Sequence, residues 1–99
     1  MQASFTLRQQ ISMAVNKVEV IGSNRRENYR LTANFRAAIA RLKIKAQVRQ
    51  VTDPIEIAKW GTIPTPAAIV NGEVLSTAKV IDSKQIEKLL LRFPKLLIA

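Results

Sequence analysis

Apolar residues along the chain fall into short blocks whose spacing alternates between that of strands and that of helices. In NKVEVIG, Val18, Val20 and Ile21 form a nearly continuous apolar run that closes at Gly22, which predicts a buried, central strand. Asn24 then stands three residues before Glu27, a spacing at which a short polar side chain and a carboxylate satisfy free amides of a first turn. A helix therefore opens at 24–25. On a wheel of roughly 100° per residue, Leu31, Phe35, Ala38, Ile39 and Leu42 share one arc, and Arg26, Arg30 and Arg41 lie on the opposite one. KAQVRQV follows, with Ala46 and Val48 weakly alternating with polar residues, as expected of an edge strand.

TDPIEIAKWG carries helix signals at both ends. Asp53 caps, Pro54 takes the first position where no amide is needed, Glu56 completes the box and Gly61 ends the helix, with Trp60 over the edge of the core. Ala67–Val70 and Val74–Leu75 are joined by Asn71-Gly72, a pair that favours the positive-φ turn of a β-hairpin. Asp82, three residues before Gln85, caps a last helix that carries Ile86, Leu89, Leu90 and Phe93 to the stop at Pro94. The predicted order is β-α-β-α-β-β-α. Residues 1–15, with Phe5, Leu7, Ile11 and Met13, read as an N-terminal extension of undetermined form before a domain over 16–99.

Composition narrows the chemistry. Ninety-nine residues, 47% of them apolar, suffice for one domain with one core. No run reaches the ~18 apolar residues of a membrane span, and the start lacks a signal-peptide pattern, so a soluble, cytoplasmic protein is expected. There is no cysteine and no histidine, which removes disulfides, thiolate and imidazole ligands and the usual general base together. Sixteen Lys+Arg face seven Asp+Glu. Eight of the cations (Arg25, Arg26, Arg30, Arg36, Arg41, Lys43, Lys45 and Arg49) fall within residues 25–49, where Glu27 is the sole acid. The positive field is lopsided, as suits a polyanion or merely a solvated face.

VEVIGS, QVTDPIEIAKWG, TPAAIVNGEVLS and IDSKQIEKLL together resemble the minimal thioredoxin/glutaredoxin-like redox disulfide proteins over residues 16–91. The most specific pieces are Thr65-Pro66-Ala67 before the Asn71-Gly72 hairpin and Trp60-Gly61 at the end of the short helix. The resemblance implies an α/β fold with a four-stranded mixed sheet of order 4-3-1-2, and a cis-proline at Pro66 facing the active site. A helix between parallel strands and a tight hairpin between antiparallel ones agree with that topology. In the family, Cys-x-x-Cys opens the first helix; aligned on Gly22-Ser23, Arg25 and Asn28 occupy the two cysteine positions. The dithiol chemistry of the family needs a thiolate at that helix start and cannot run here.

The candidate site is therefore the former redox end: Ser23, Asn24, Arg25, Arg26, Asn28, Thr65 and Pro66. Helix amides with Arg25 or Arg26 suit a phosphate or carboxylate, and the backbone around Thr65-Pro66 suits an extended peptide. The plain alternative is a drifted loop in which Glu27 compensates the charge. A protein partner is expected, with nucleic acid as the rival through Arg26, Arg30, Arg41, Lys43, Lys45 and Arg49, where Tyr29 is the one aromatic at hand for stacking. A hydroxyl of Ser23 or Tyr29 activating glutathione is the enzymatic alternative, and no motif supports it. No catalytic residue, metal set or cofactor is expected, since Asp53 with Glu56 and Asp82 with Gln85 are accounted for as caps. The apolar end KLLIA seeks cover on the extension or on a second copy, which leaves monomer and homodimer open.

Overall fold

The structure, a computed structural model, describes residues 15–94 and 96. The expected extension, apart from residue 15, lies outside the described residues. The elements are β1 (Asn16–Ile21), α1 (Arg25–Leu42), β2 (Ala46–Val51), α2 (Pro54–Ala58), β3 (Ala67–Val70), β4 (Glu73–Ser76) and α3 (Ser83–Leu91). The strands form one mixed sheet of order β2-β1-β3-β4, which is the expected order read from the other edge. β1 runs parallel to β2 and antiparallel to β3, and β3 to β4 closes the hairpin. Asn71 at φ 50° and Gly72 at φ 84° make the turn.

Alternation along the strands divides the core between the two faces of the sheet. On one face, Val18, Val20, Ala68 and Val70 meet Leu31, Phe35 and Ala38 of α1 and Ile86 and Leu90 of α3. On the other, Ile21, Val51 and Ile69 are covered by Ile57, Trp60 and Ile63. This second face is apolar only at the C-terminal end of β1; further back it carries Lys17, Glu19, Gln47 and Arg49. The short α2, through Ile57, and the segment after it, through Trp60 and Ile63, suffice to cover the apolar part.

The helix starts follow local chemistry. Asn24, Asp53 and Asp82 accept from the amides of Glu27, Ile55 and Gln85 at 3.0, 2.9 and 2.8 Å. Glu56 departs from expectation. Its carboxylate accepts from Arg49 at 3.4 Å instead of closing the Asp53 box, because a guanidinium reaching from β2 offers it a charged donor. α1 ends at Lys43 in the left-handed conformation, φ 55°, with its amide turned back to Ala40 and Ile39. At the end of the sheet away from Gly22, Asn16 Nδ2 donates to the Lys45 carbonyl and Asn71 Nδ2 to Asn16 Oδ1, fastening the hairpin turn to the first strand. Leu96 packs against this chain's own main core, so part of the apolar tail finds its cover internally.

Candidate functional site

The chain leaves β1 at Gly22, whose amide donates to the Val51 carbonyl at 3.1 Å, and turns through Ser23 and Asn24 into α1. Thr65 and Pro66, joined by a cis peptide bond, arrive beside this turn just before β3. The contact is tight. A Cβ at Gly22 would sit 2.8 Å from Asn28 Oδ1 and 3.5 Å from both Pro66 Cα and Thr65 Cβ, so glycine is needed here for space rather than for an unusual φ.

Asn28 is fully buried. Its Nδ2 donates to the Gly22 carbonyl at 2.6 Å, while its Oδ1 has no hydrogen-bond partner among the described residues. The amide thus braces α1 against the end of β1 at the position where the resemblance puts the second cysteine, and it lies beneath the surface rather than on it. Pro66 is buried as well. Ser23, Asn24, Arg25, Arg26 and Thr65 are exposed around them. Five of the seven expected site residues thus share one accessible rim, over a floor made by the other two and Gly22.

The expected basic face does not hold together. Arg41 pairs with Glu87 of α3 at 3.4 Å. Arg49 binds Glu19 at 2.9 Å and Glu56 at 3.4 Å. Strand alternation places Arg49 with Val51, on the face of the sheet opposite α1, which a count of cations along the sequence cannot register. The hydrogen bond from Arg49 to Glu19, and behind it the charge of Glu56, raise the Arg49 pKa above its ordinary value. Arg25, Arg26, Arg30 and Arg36 form no ion pair among the described residues.

Arg36, Tyr29 and Gln50, none of them among the expected site residues, join Arg25, Arg26 and Arg30; the sequence offers Tyr29 only as an aromatic for stacking or as a hydroxyl. Arg25, Arg26, Arg30, Tyr29 and Gln50 line a hollow of about 610 Å³, and Tyr29 and Gln50 continue into an adjoining one of about 310 Å³ that includes Arg36. Tyr29 is 70% exposed. Arg25, Tyr29 and Arg36 fall on one helical stripe at spacings of four and seven, and that spacing is the signal that was available. The approach of Gln50 from β2 has no local signal. Among the described residues no cluster of three or more His, Cys, Asp or Glu is gathered for a metal, and no helix is long and apolar enough to cross a membrane.

A mixed sheet of this order, a helix opening directly after its first parallel strand, and a cis-proline beside that opening define a thioredoxin-like domain. The chain matches the thioredoxin domain family over residues 16–91, and it belongs to that family. No curated protein matches it. With no cysteine in the chain, there is no thiolate to carry out dithiol exchange at the helix start.

Proposed function

We propose that this thioredoxin-like domain acts as a protein-binding or scaffolding module rather than as an enzyme, and that it meets its partner through the former redox end. The observation that carries the reading is the rim itself. Exposed Ser23, Thr65, Arg25 and Arg26 surround a floor held rigid by Gly22, Asn28 and Pro66. An extended segment laid across that floor finds backbone groups at Thr65, the free amides of the first turn of α1 and two guanidinium groups that have no ion pair among the described residues. A carboxylate in the segment is the natural counterpart of those guanidiniums.

Two arginines in a first turn oppose the helix dipole by about 0.3–1 kcal/mol each, and Glu27 offsets part of that. A pair kept at such a position is accounted for by an anion that faces it. The rival, a polyanion spread over Arg26, Arg30, Arg41, Lys43, Lys45 and Arg49, is weakened by the ion pairs of Arg41 and Arg49.

The test is a pull-down from lysate, with and without nuclease, comparing the wild-type chain with the Arg25→Glu, Arg26→Glu double variant. The expected result is a set of proteins retained after nuclease and lost in the variant. Recovery that disappears with nuclease would overturn the reading in favour of nucleic acid.

A further inference from the structure

A second surface, which shares Arg25 and Arg26 with the Thr65–Pro66 end, carries its own recognition chemistry. Among the described residues β2 pairs with β1 alone, so its other side is an open edge. Which of its backbone groups face outwards follows from two hydrogen bonds. The Lys45 carbonyl accepts from the Asn16 amide and the Val51 carbonyl from the Gly22 amide, so backbone groups at odd-numbered positions point towards β1. A strand residue sends its N–H and C=O to the same side and its successor sends them to the other. The N–H and C=O groups of Ala46, Val48 and Gln50 are therefore directed at the open edge.

The side chains of these three residues lie on the sheet face covered by α1. Ala46 and Val48 reach the main core, and Gln50 lines the hollow beside Tyr29. A strand laid along the open edge would place its alternate side chains on that same face. There it would lie beside Arg25, Arg26, Arg30 and Arg36, none of which has an ion pair among the described residues. The other face of the edge offers exposed Gln47 and Arg49.

We propose that the edge of β2 and the arginine-lined groove of α1 form a docking surface for an extended acidic segment of another protein, which adds to the sheet as a fifth strand. Charge selects this occupant. Residues 1–14 of this chain contain Arg8 and no acid, so they do not complement four arginines. A second copy carries a net charge of +9 and would bring Arg49 against another cationic edge. Single-stranded nucleic acid answers the charge but not the open row of backbone donors and acceptors, and one exposed tyrosine is a small stacking platform for it. An acidic strand answers both features. It also covers an edge that would otherwise remain a template for unspecific pairing.

The probe is a fluorescein-labelled peptide of about ten residues alternating glutamate and valine, which matches the strand period. Binding is read by anisotropy and by amide hydrogen exchange. The expected result is saturable binding, with slowed exchange at Ala46, Val48 and Gln50. Arg30→Glu combined with Arg36→Glu, both on exposed side chains, weakens it by about tenfold or more. Gln50→Pro removes one outward N–H and no bond to β1, and it too weakens binding; the charge-reversal pair keeps the test decisive if this variant does not fold. Absence of binding, indifference to both variants, or slowed exchange confined to Thr65–Ala67 would overturn the proposal. So would an oligothymidylate that binds more tightly than the peptide and is released by Tyr29→Ala. Arg25 and Arg26 belong to both surfaces, so the partner pull-down is repeated with the Arg30→Glu, Arg36→Glu pair: loss in the Arg25, Arg26 variant alone belongs to the rim, and loss in both variants belongs to the edge of β2.

Discussion

Asn28 holds α1 to the end of β1 with a buried amide, at the position where the family resemblance puts the second cysteine. Its buried amide spans from α1 to the Gly22 carbonyl, and its Oδ1 lies where any side chain at position 22 would have to go. Asn28→Ala should cost about 1–3 kcal/mol in urea unfolding, because it leaves the Gly22 carbonyl without that donor in a buried place. Gly22→Ala should cost a similar amount, about 1–3 kcal/mol, through overpacking against Asn28 Oδ1. The two substitutions share one contact, so they should not add: Gly22→Ala should cost clearly less in the Asn28→Ala background. Additive costs would mean that Thr65 or Pro66, and not Asn28, sets the space at Gly22. None of this was legible in the sequence, where Asn28 read as a surface member of a former redox motif. The approach of Thr65 and Pro66 to Gly22, about forty positions along the chain, is encoded by no local spacing.

At the scale of elements, much of the fold could be read in advance, because helix starts and tight turns are decided within a few residues. The Asn24 and Asp82 caps, accepting from the Glu27 and Gln85 amides, and the Asn71-Gly72 turn sit in the structure as their chemistry requires. Asn24→Ala should cost about 1 kcal/mol through the lost cap on the Glu27 amide. Gly72→Ala at φ 84° should cost about 1–2 kcal/mol and should loosen the hairpin first, which amide exchange at Val70 and Glu73 would report. The failures share one physical cause. Arg49 lies thirty positions from Glu19, and strand alternation turns both onto the face away from α1, so a stretch of cations that looks continuous in sequence is divided by the sheet. Glu56 left its expected capping role for the same guanidinium. The stripe of Arg25, Tyr29 and Arg36 was visible as spacing alone, but only the approach of β2 makes a groove of it.

The whole molecule is a thioredoxin domain divided between a rigid floor and a cationic rim. The two clusters of its core lie on opposite faces of one sheet, and the end where Gly22, Asn28, Thr65 and Pro66 meet is where both faces and α1 converge. Leu96 adds to the main cluster from beyond α3, so Leu96→Ala should lower stability by about 1–2 kcal/mol, less than for a fully buried leucine, without changing the mass found by analytical ultracentrifugation. A change in mass would place that tail at an interface between copies instead. Because the chain has no thiolate, insulin reduction in its presence should proceed at the uncatalysed rate. The central claim is that the former redox end now serves protein contact. Its most direct test is photo-cross-linking in cells with a benzophenone amino acid at Ser23, on the rim, compared with the same group at exposed Val74 on β4, at the other edge of the sheet and beside the hairpin turn. The account predicts discrete protein adducts at Ser23 that survive nuclease and are absent at Val74. Equal labelling at the two positions, or adducts at Ser23 that nuclease removes, would contradict it.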